Sequence, residues 1–475
     1  MNQRIVVVGG GIAGLAAAYR VFELAKERLL PLEVLLLEGG QRLGGVISTR
    51  IIDDFLLEDG PDGFLTEKPW ALDLCARLNL TENLTPAQSA HRTVYVVHRG
   101  VLQPLPEGFF LLAPTRLWPV LRTPIFSWRG KARLACEVFI PRAGEKNDES
   151  VASFVRRRFG NEILERVAQP LVGGIYGADP EHLSLAATMP RFLAWERESG
   201  SIIRAMRRAY SRRAANIGTG SGARYGLFVT LQKGMQQLVE ALRARLPEDC
   251  AVLGKNAATL ELDRREKKWV VITDGRERIQ ADGVILATPS YVSAGIVSGI
   301  SSELSARLRD IPYSSAATVN LAYRRDQIPH PLDAFGFVVP RVERFLSIAC
   351  TFSSVKYPGR APVGSVLIRA FLGGATKASV LDRSDDEMKT AVQRDLARLL
   401  GIKTPPLFNR ITRYHRALPT YRVGHLDLVQ GIERAVEDFP ALALAGNAYR
   451  GVGVPDCVHS GEEAAKKVVG QLANE

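Results

Sequence analysis

An apolar run from Ile5 to Val8 leads directly into Gly9-Gly10-Gly11-Ile12-Ala13-Gly14, and a second apolar run, Val34 to Leu37, closes on Glu38. Strand, glycine turn, helix, strand and terminal acid in this order constrain the start of the chain to a dinucleotide-binding βαβ unit. Gly9 permits the tight turn, and Gly10 and Gly11 let the backbone approach a pyrophosphate. Gly14 lets the helix pack on the strand. The N–H groups around Ile12 and Ala13 open the helix and face the phosphates. Glu38 is placed to accept hydrogen bonds from a ribose diol. The competing reading is a tight strand–helix turn without a ligand. A bare GxGxxG would leave that reading open, whereas the ordered flanking elements favour the ligand. The segment Glu23 to Pro31 lengthens the connection between helix and strand without breaking the pattern.

The residues after Glu38 bear on which dinucleotide is bound. They read Glu38-Gly39-Gly40-Gln41-Arg42-Leu43-Gly44-Gly45. An acid, an Arg four residues on and then a Gly pair resemble the continuation in FAD-binding flavoproteins of the amine-oxidase type. Arg42 can face a diphosphate as a cation with several donors, or stand as a solvated surface Arg. Gly44 and Gly45 leave room for backbone beside the cofactor. FAD is therefore the expected cofactor.

With 475 residues the chain is long enough for two or three cores. Its 46% apolar and 24% charged content is that of a soluble globular protein. The net charge of +12 suits an acidic substrate, an anionic surface or general solubility. Nucleic acid is not expected, because the basic residues are scattered and no recognition motif appears. Cys75, Cys136, Cys250, Cys350 and Cys457 are odd in number and far apart. Reduced thiols in a cytoplasmic protein follow, rather than disulfides or zinc. The histidines show no paired ligand spacing, so no metal is expected. The first strand begins by Arg4, so no targeting peptide is expected. Nothing is apolar enough to span a membrane. Phe109 to Trp128 is the nearest candidate for a membrane surface, with a buried lobe segment as the alternative.

Along the chain the pattern is α/β, or α+β overall. A Rossmann-like unit is expected at 1–86, 227–290 and 425–475, and a mixed-sheet substrate unit at 87–99 and 291–424. A helical lobe is expected at 100–226. Helices are expected at Val151 to Phe159, Glu162 to Leu171, Ile202 to Tyr210, Met235 to Leu246 and Asp382 to Gly401. Arg156-Arg157-Arg158 reads as a solvated helix face, and Asn216 to Gly222 as a mobile loop. Ala281 to Pro289 reads as one buried strand running into a loop. Near the end, Leu442 to Asn447 runs into Gly451-Val452-Gly453-Val454-Pro455-Asp456-Cys457, followed by a helix from about Val458 to Ala473. This second strand–glycine–helix junction suits another part of the same cofactor.

Taken together, these residues resemble the oxygen-dependent porphyrinogen oxidases of haem synthesis. The shared segments run through the whole chain. They are VVVGGGIAGLAAAY at Val6 to Tyr19, LLEGGQRLGG at Leu36 to Gly45, EDGPDGFL at Glu58 to Leu65, PLVGGIYGAD at Pro170 to Asp179, LPTYRVGH at Leu418 to His425, and GNAYRGVGVPDC at Gly446 to Cys457. The insertion Lys26 to Glu33, and Lys68 after Gly60-Pro61-Asp62-Gly63, are closer to the bacterial coproporphyrinogen type. The resemblance implies six-electron oxidation of a porphyrinogen to a porphyrin. It would proceed in three two-electron steps, with oxygen reduced to hydrogen peroxide and the flavin carrying the chemistry.

For the cofactor, the resemblance adds Gly60, Pro61, Asp62, Gly63, Ala257, Tyr414, Gly446, Val452, Gly453 and Val454 to the N-terminal set. For the substrate it implies Arg92 at a propionate and Gly174 leaving space for the macrocycle. The turn around Gly174 departs from the Ala-Gly common in relatives. Lys68 matches a Lys near the reacting centre, with a solvated loop Lys as the alternative. A contact with a ferrochelatase is compatible with the resemblance, and no oligomeric state is signalled. Coproporphyrinogen III is the first substrate reading and protoporphyrinogen IX the second. An amine oxidase or carotenoid desaturase of the same fold is more remote, as is a non-catalytic porphyrin-delivering scaffold.

Overall fold

A computed structural model describes residues 3–91, 93–110, 112–114, 118–142, 144, 148–215, 227–263, 265–266, 268–375 and 377–473. Its centre is a five-stranded sheet ordered Ala251–Leu253, Leu32–Glu38, Gln3–Val8, Gly283–Leu286 and Leu442–Leu444. Every neighbouring pair runs parallel. Such a sheet is covered on both faces, which is why Ile5 to Val8 and Gly283 to Leu286 are continuously apolar and buried. One face packs on helices Ile12–Glu27 and Val454–Ala473. The other carries the three-stranded antiparallel sheet Ala257–Asp263, Lys268–Thr273 and Arg278–Ala281.

A second, seven-stranded sheet forms a roof. Its order is Phe408–Pro419, Tyr313–Arg324, Ser365–Gly373, Ala349–Phe352, Gly336–Val338, Val94–His98 and Val101–Pro104. It is mixed, because Gly336–Val338 runs parallel to Val94–His98. One face of the roof buries Val319, Leu321, Ile368, Ala370 and Leu372 against helix Asp385–Leu400. Strand alternation sends the other set, Thr318, Asn320, Arg369, Phe371, Thr412 and Tyr414, to the opposite face.

The α/β class and the mixed sheet are as the sequence suggests, but several details differ. Residues 290–309 hold helices Ser290–Ile296 and Ser302–Arg309, whose Ala294, Ile296 and Leu304 join the core under the five-stranded sheet, not the roof. The roof also extends to Val101–Pro104, inside the expected lobe. Ala281 ends one strand and Gly283 begins another, with Asp282 between them. The last helix begins at Val454, because Pro455 is tolerated in a first turn. The arginine run is not a solvated face. Arg158 is 0% exposed and pairs with Glu137, while Arg157 holds Glu149 and Glu196. Only Arg156 lies at the surface, beside Glu181. The Arg157–Glu196 pair joins lobe helices Val151–Phe159 and Pro190–Ser199, and the Arg158–Glu137 pair ties the first of them to the turn at Cys136–Phe139. The loop Asn216 to Gly222 lies outside the described residues.

Candidate active site

The N-terminal turn is built by local sterics. Gly9 has a φ of +105°, the left-handed region that favours glycine. A side chain at Gly14 would overlap the Gly9 carbonyl, so helix and strand meet there at backbone distance. Gly11 is different, because no atom lies within 4 Å of where its Cβ would stand. The Glu38 carboxylate accepts the N–H groups of Gly10 and Gly40, each at 2.6 Å, and so spans the turn. Gly44 N–H donates to the Gly10 carbonyl at 2.8 Å, clasping the two glycine segments together. Arg42 donates to the carbonyls of Ile47 (2.8 Å), Gly45 (2.5 Å) and Leu43 (3.2 Å), shaping the Gly44–Gly45 loop. Asn256 packs on Gly39, which sets Ala257 beside the Glu38 end of the turn.

The C-terminal turn is held from a distance. Gly446, with φ +120°, has open space around its Cβ position, and its N–H donates to Ser460 Oγ at 3.0 Å. The Tyr421 hydroxyl donates to the Asn447 carbonyl at 2.5 Å and accepts the Gly451 N–H at 2.8 Å, bracing both sides of the turn. His425 stacks on Tyr421 at 3.9 Å, and its Nε2 meets the Tyr449 carbonyl at 2.8 Å. Val452 and Gly453 lead into the helix at Val454. There Asp456 accepts the Gly453 N–H at 3.2 Å and Lys68 Nζ at 2.5 Å. Lys68 is therefore an ion-pair partner at a helix start rather than a free loop cation. Gly461 of this helix packs on the Ala13 backbone. The helix start thus lies roughly 10 Å beyond that contact along the helix axis.

Between sheet and roof lies a charged seam. Gly60 packs against the Val46 carbonyl, and Gly63 against Val229 and Tyr357, so these glycines serve close packing of the turn that contains Pro61. Asp62 pairs with Lys356 at 3.0 Å. Burial would raise the Asp62 carboxyl, but Lys356, Arg369 and Arg360 outweigh it and hold it below its ordinary value. Burial likewise opposes ionisation of Asp59, yet Arg410 and Arg50, each at 2.9 Å, lower it. Glu58 goes the other way. At 4% exposed, its carboxyl is pushed by burial up to about 7 despite bonds from Met235 N–H and Thr49. Tyr414 stands over this seam, raised to about 12 by burial and by Asp59. Gly174 sits in helix Gln169–Tyr176, directly after a π-helical turn at Leu164–Ala168. A side chain there would approach Ala349 of the roof at 3.8 Å. A narrow cavity runs along this junction, lined by Gly173, Gly174, Val339, Ile348 and Gly373. Arg92 lies outside the described residues.

Two glycine positions open to space, a helix N-terminus and an acid at the second strand are what an FAD requires. A family model described as flavin containing amine oxidoreductase matches residues 12–469. The chain belongs to this FAD-dependent family. Among its relatives, a coproporphyrinogen III oxidase of Bacillus subtilis (strain 168) is 33% identical, covering 99% of each chain. Another, of Propionibacterium freudenreichii subsp. freudenreichii, is 35% identical, covering 98% of this chain and 90% of that one. A chloroplastic protoporphyrinogen oxidase of Spinacia oleracea is 29% identical, covering 98% and 84%. A crystal structure from Exiguobacterium sp. 255-15, provisionally assigned as a protoporphyrinogen oxidase, superposes with a TM-score of 0.86 at 30% identity, covering 98% and 99%.

Lys356 and Arg369 were not singled out in the sequence, and Glu58, Asp59 and Tyr421 were read only as parts of the shared segments. For the roof face that carries Arg369, the signal was present as strand alternation. Thr318 and Asn320 interrupt a buried strand at period two, as do Arg410, Thr412 and Tyr414 in a neighbour.

Proposed function

We propose that the protein catalyses the FAD-dependent, oxygen-using oxidation of coproporphyrinogen III to coproporphyrin III, with three hydrogen peroxide formed per turnover. The observation that carries this reading is full-length similarity of 33% and 35% to relatives named for that activity. When bound, FAD supplies the hydride acceptor for each two-electron step. Gly9 to Gly14 and Glu38 would hold its diphosphate and ribose. Arg42, Gly44 and Gly45 would line the diphosphate, with Gly39 and Ala257 beside the Glu38 end of the turn. Gly60 to Gly63, Tyr414, Gly446 and Val452 to Val454 would surround the ring system. Gly174 would leave room for the macrocycle beneath the roof, and Arg92 would meet a propionate. Lys68, through Asp456, would set the charge at the helix start facing the flavin. Segments 1–86, 227–290 and 425–475 would carry FAD, and 87–99 with 310–424 the substrate.

No helix among the described residues is long and apolar enough to cross a membrane, and all five cysteines are free. These facts support a cytoplasmic enzyme, compatible with a ferrochelatase contact. A second reading is protoporphyrinogen IX oxidation at a membrane surface. It draws on the helical lobe, where Leu112, Val120, Ile125 and Phe126 are buried but Trp118, Trp128 and Phe139 are exposed. Aerobic kcat/KM for the two porphyrinogens, followed by porphyrin fluorescence, separates the readings. Preference for coproporphyrinogen III supports the first, and preference for protoporphyrinogen IX overturns it in favour of the second.

A further inference from the structure

The roof carries a buried cation with two donor nitrogens uncommitted among the described residues. Arg369, on strand Ser365–Gly373, is 5% exposed. Its Nε and Nη1 atoms have no hydrogen-bond partner among the described residues. The nearby cations are otherwise engaged. Lys356 holds Asp62, and Arg360 donates to Thr230 and to the carbonyls of Leu231 and Gln232. The anions are engaged as well. Glu58 accepts Met235 N–H and Thr49, and Asp59 is shared by Arg50 and Arg410. Asn320, the direct register partner of Arg369, turns its amide nitrogen to the Glu58 carbonyl at 3.3 Å. Asp62 and Glu58 lie in the field of this guanidinium, but burying its Nε and Nη1 without partners is costly unless a hydrogen-bond acceptor meets them.

The strand register says which ligand is in reach. Arg369 and Phe371 share the roof face with Ala349 and Thr351 of the adjacent strand. That Ala349 lies against Gly174, 3.8 Å from where a Gly174 Cβ would stand, on the face where the macrocycle would sit. The Arg369 guanidinium lies 4.7 Å from the Phe371 ring centroid, which holds it flat along this face. Arg369 therefore lies in the wall of the substrate space.

We infer that Arg369 is a carboxylate-recognising residue of the substrate site, taking a propionate on the buried side of the macrocycle. The inference rests on the porphyrinogen reading above and deepens it. A macrocycle with a propionate on all four rings presents one to Arg369 even when others are bound elsewhere on the rim. A macrocycle with vinyl groups on two rings can leave the guanidinium facing an apolar substituent, with its Nε and Nη1 donors unmet. Arg369 thus contributes to selectivity for the tetracarboxylate.

The test is equilibrium binding of three probes to the flavin-loaded protein. The probes are coproporphyrin III, its tetramethyl ester and protoporphyrin IX, each followed by porphyrin fluorescence. Arg369→Gln is expected to weaken coproporphyrin III by about tenfold or more, the worth of one charged hydrogen bond. The ester and protoporphyrin IX should change by less than about threefold. Flavin content should stay as in the unmodified protein. An equal loss for all three ligands, or no loss, overturns the assignment. If Arg369→Gln fails to retain flavin, Arg369→Lys carries the same comparison. A smaller loss still confined to coproporphyrin III supports the assignment, and an even or absent loss overturns it. Should the unmodified protein bind none of the three, the porphyrinogen reading itself falls, and the Arg369 assignment with it.

Discussion

The two glycine-rich junctions that face the cofactor space are built on opposite principles. The first, Gly9 to Gly14, is set mostly within its own βαβ unit. Gly14 meets the Gly9 carbonyl and Gly10 meets Glu38 at the end of the next strand, and the distant neighbours are Ala287 and Thr288, on which Gly9 backs. The second, Gly446 to Val454, is shaped by Tyr421, His425, Ser460, Asp456 and Lys68, the last of them hundreds of residues away in the chain. A local turn can be specified by sterics within one supersecondary unit. A turn outside such a unit is braced by side chains that other elements bring to it.

Substitutions at each junction sharpen that difference. The largest effect is expected at Gly14→Val, whose side chain would overlap the Gly9 backbone. It should cost more than about 3 kcal/mol and leave little folded protein, as read by thermal denaturation and soluble yield. Gly11→Val stands beside it as a control in the same turn. Because space is open there, the apoprotein should melt within about 1 kcal/mol of the unmodified chain. Absorbance near the flavin band should nevertheless be lost. Retained yellow colour would remove Gly11 from the cofactor site. At the second junction, Tyr421→Phe strips one hydroxyl from two backbone partners. A loss of about 1–3 kcal/mol is expected, with weaker FAD retention on gel filtration. An unchanged melting temperature and flavin content would show that the turn does not depend on its brace. Lys68→Ala should be the mildest. Its side chain is 44% exposed, so loss of the Asp456 pair should cost less than about 1 kcal/mol in stability. Its effect should appear instead in the flavin spectrum or reduction potential, and an unaltered spectrum and potential would make Lys68 a surface pair only.

The seam between sheet and roof adds a pH-dependent test of the same idea. Glu58 has its folded-state pKa raised to about 7. Its contribution is fully present below the unfolded carboxylate value and is lost as pH rises through about 7. Glu58→Gln should therefore remove a loss of stability between about pH 4.5 and 7, measured by urea denaturation across that range. Parallel curves for the two proteins would mean that Glu58 is not titrating there.

What could be read from the chain alone follows contact distance in sequence. The βαβ turn, the Glu38 acid, the continuation through Arg42 to Gly45 and the helix Val151–Phe159 are all set by patterns within a few residues. The family marks also pointed to FAD without any structure. The tertiary structure decided the rest. It committed Lys68 to Asp456, buried Arg158 against Glu137, and moved residues 291–309 under the parallel sheet. It also placed Arg369 among charges that were already paired. A lone Arg in a strand looks the same whether it meets solvent, an acid or a ligand. Only packing shows which of its donors already have partners, because burial and hydrogen bonding depend on segments that the local pattern does not contain.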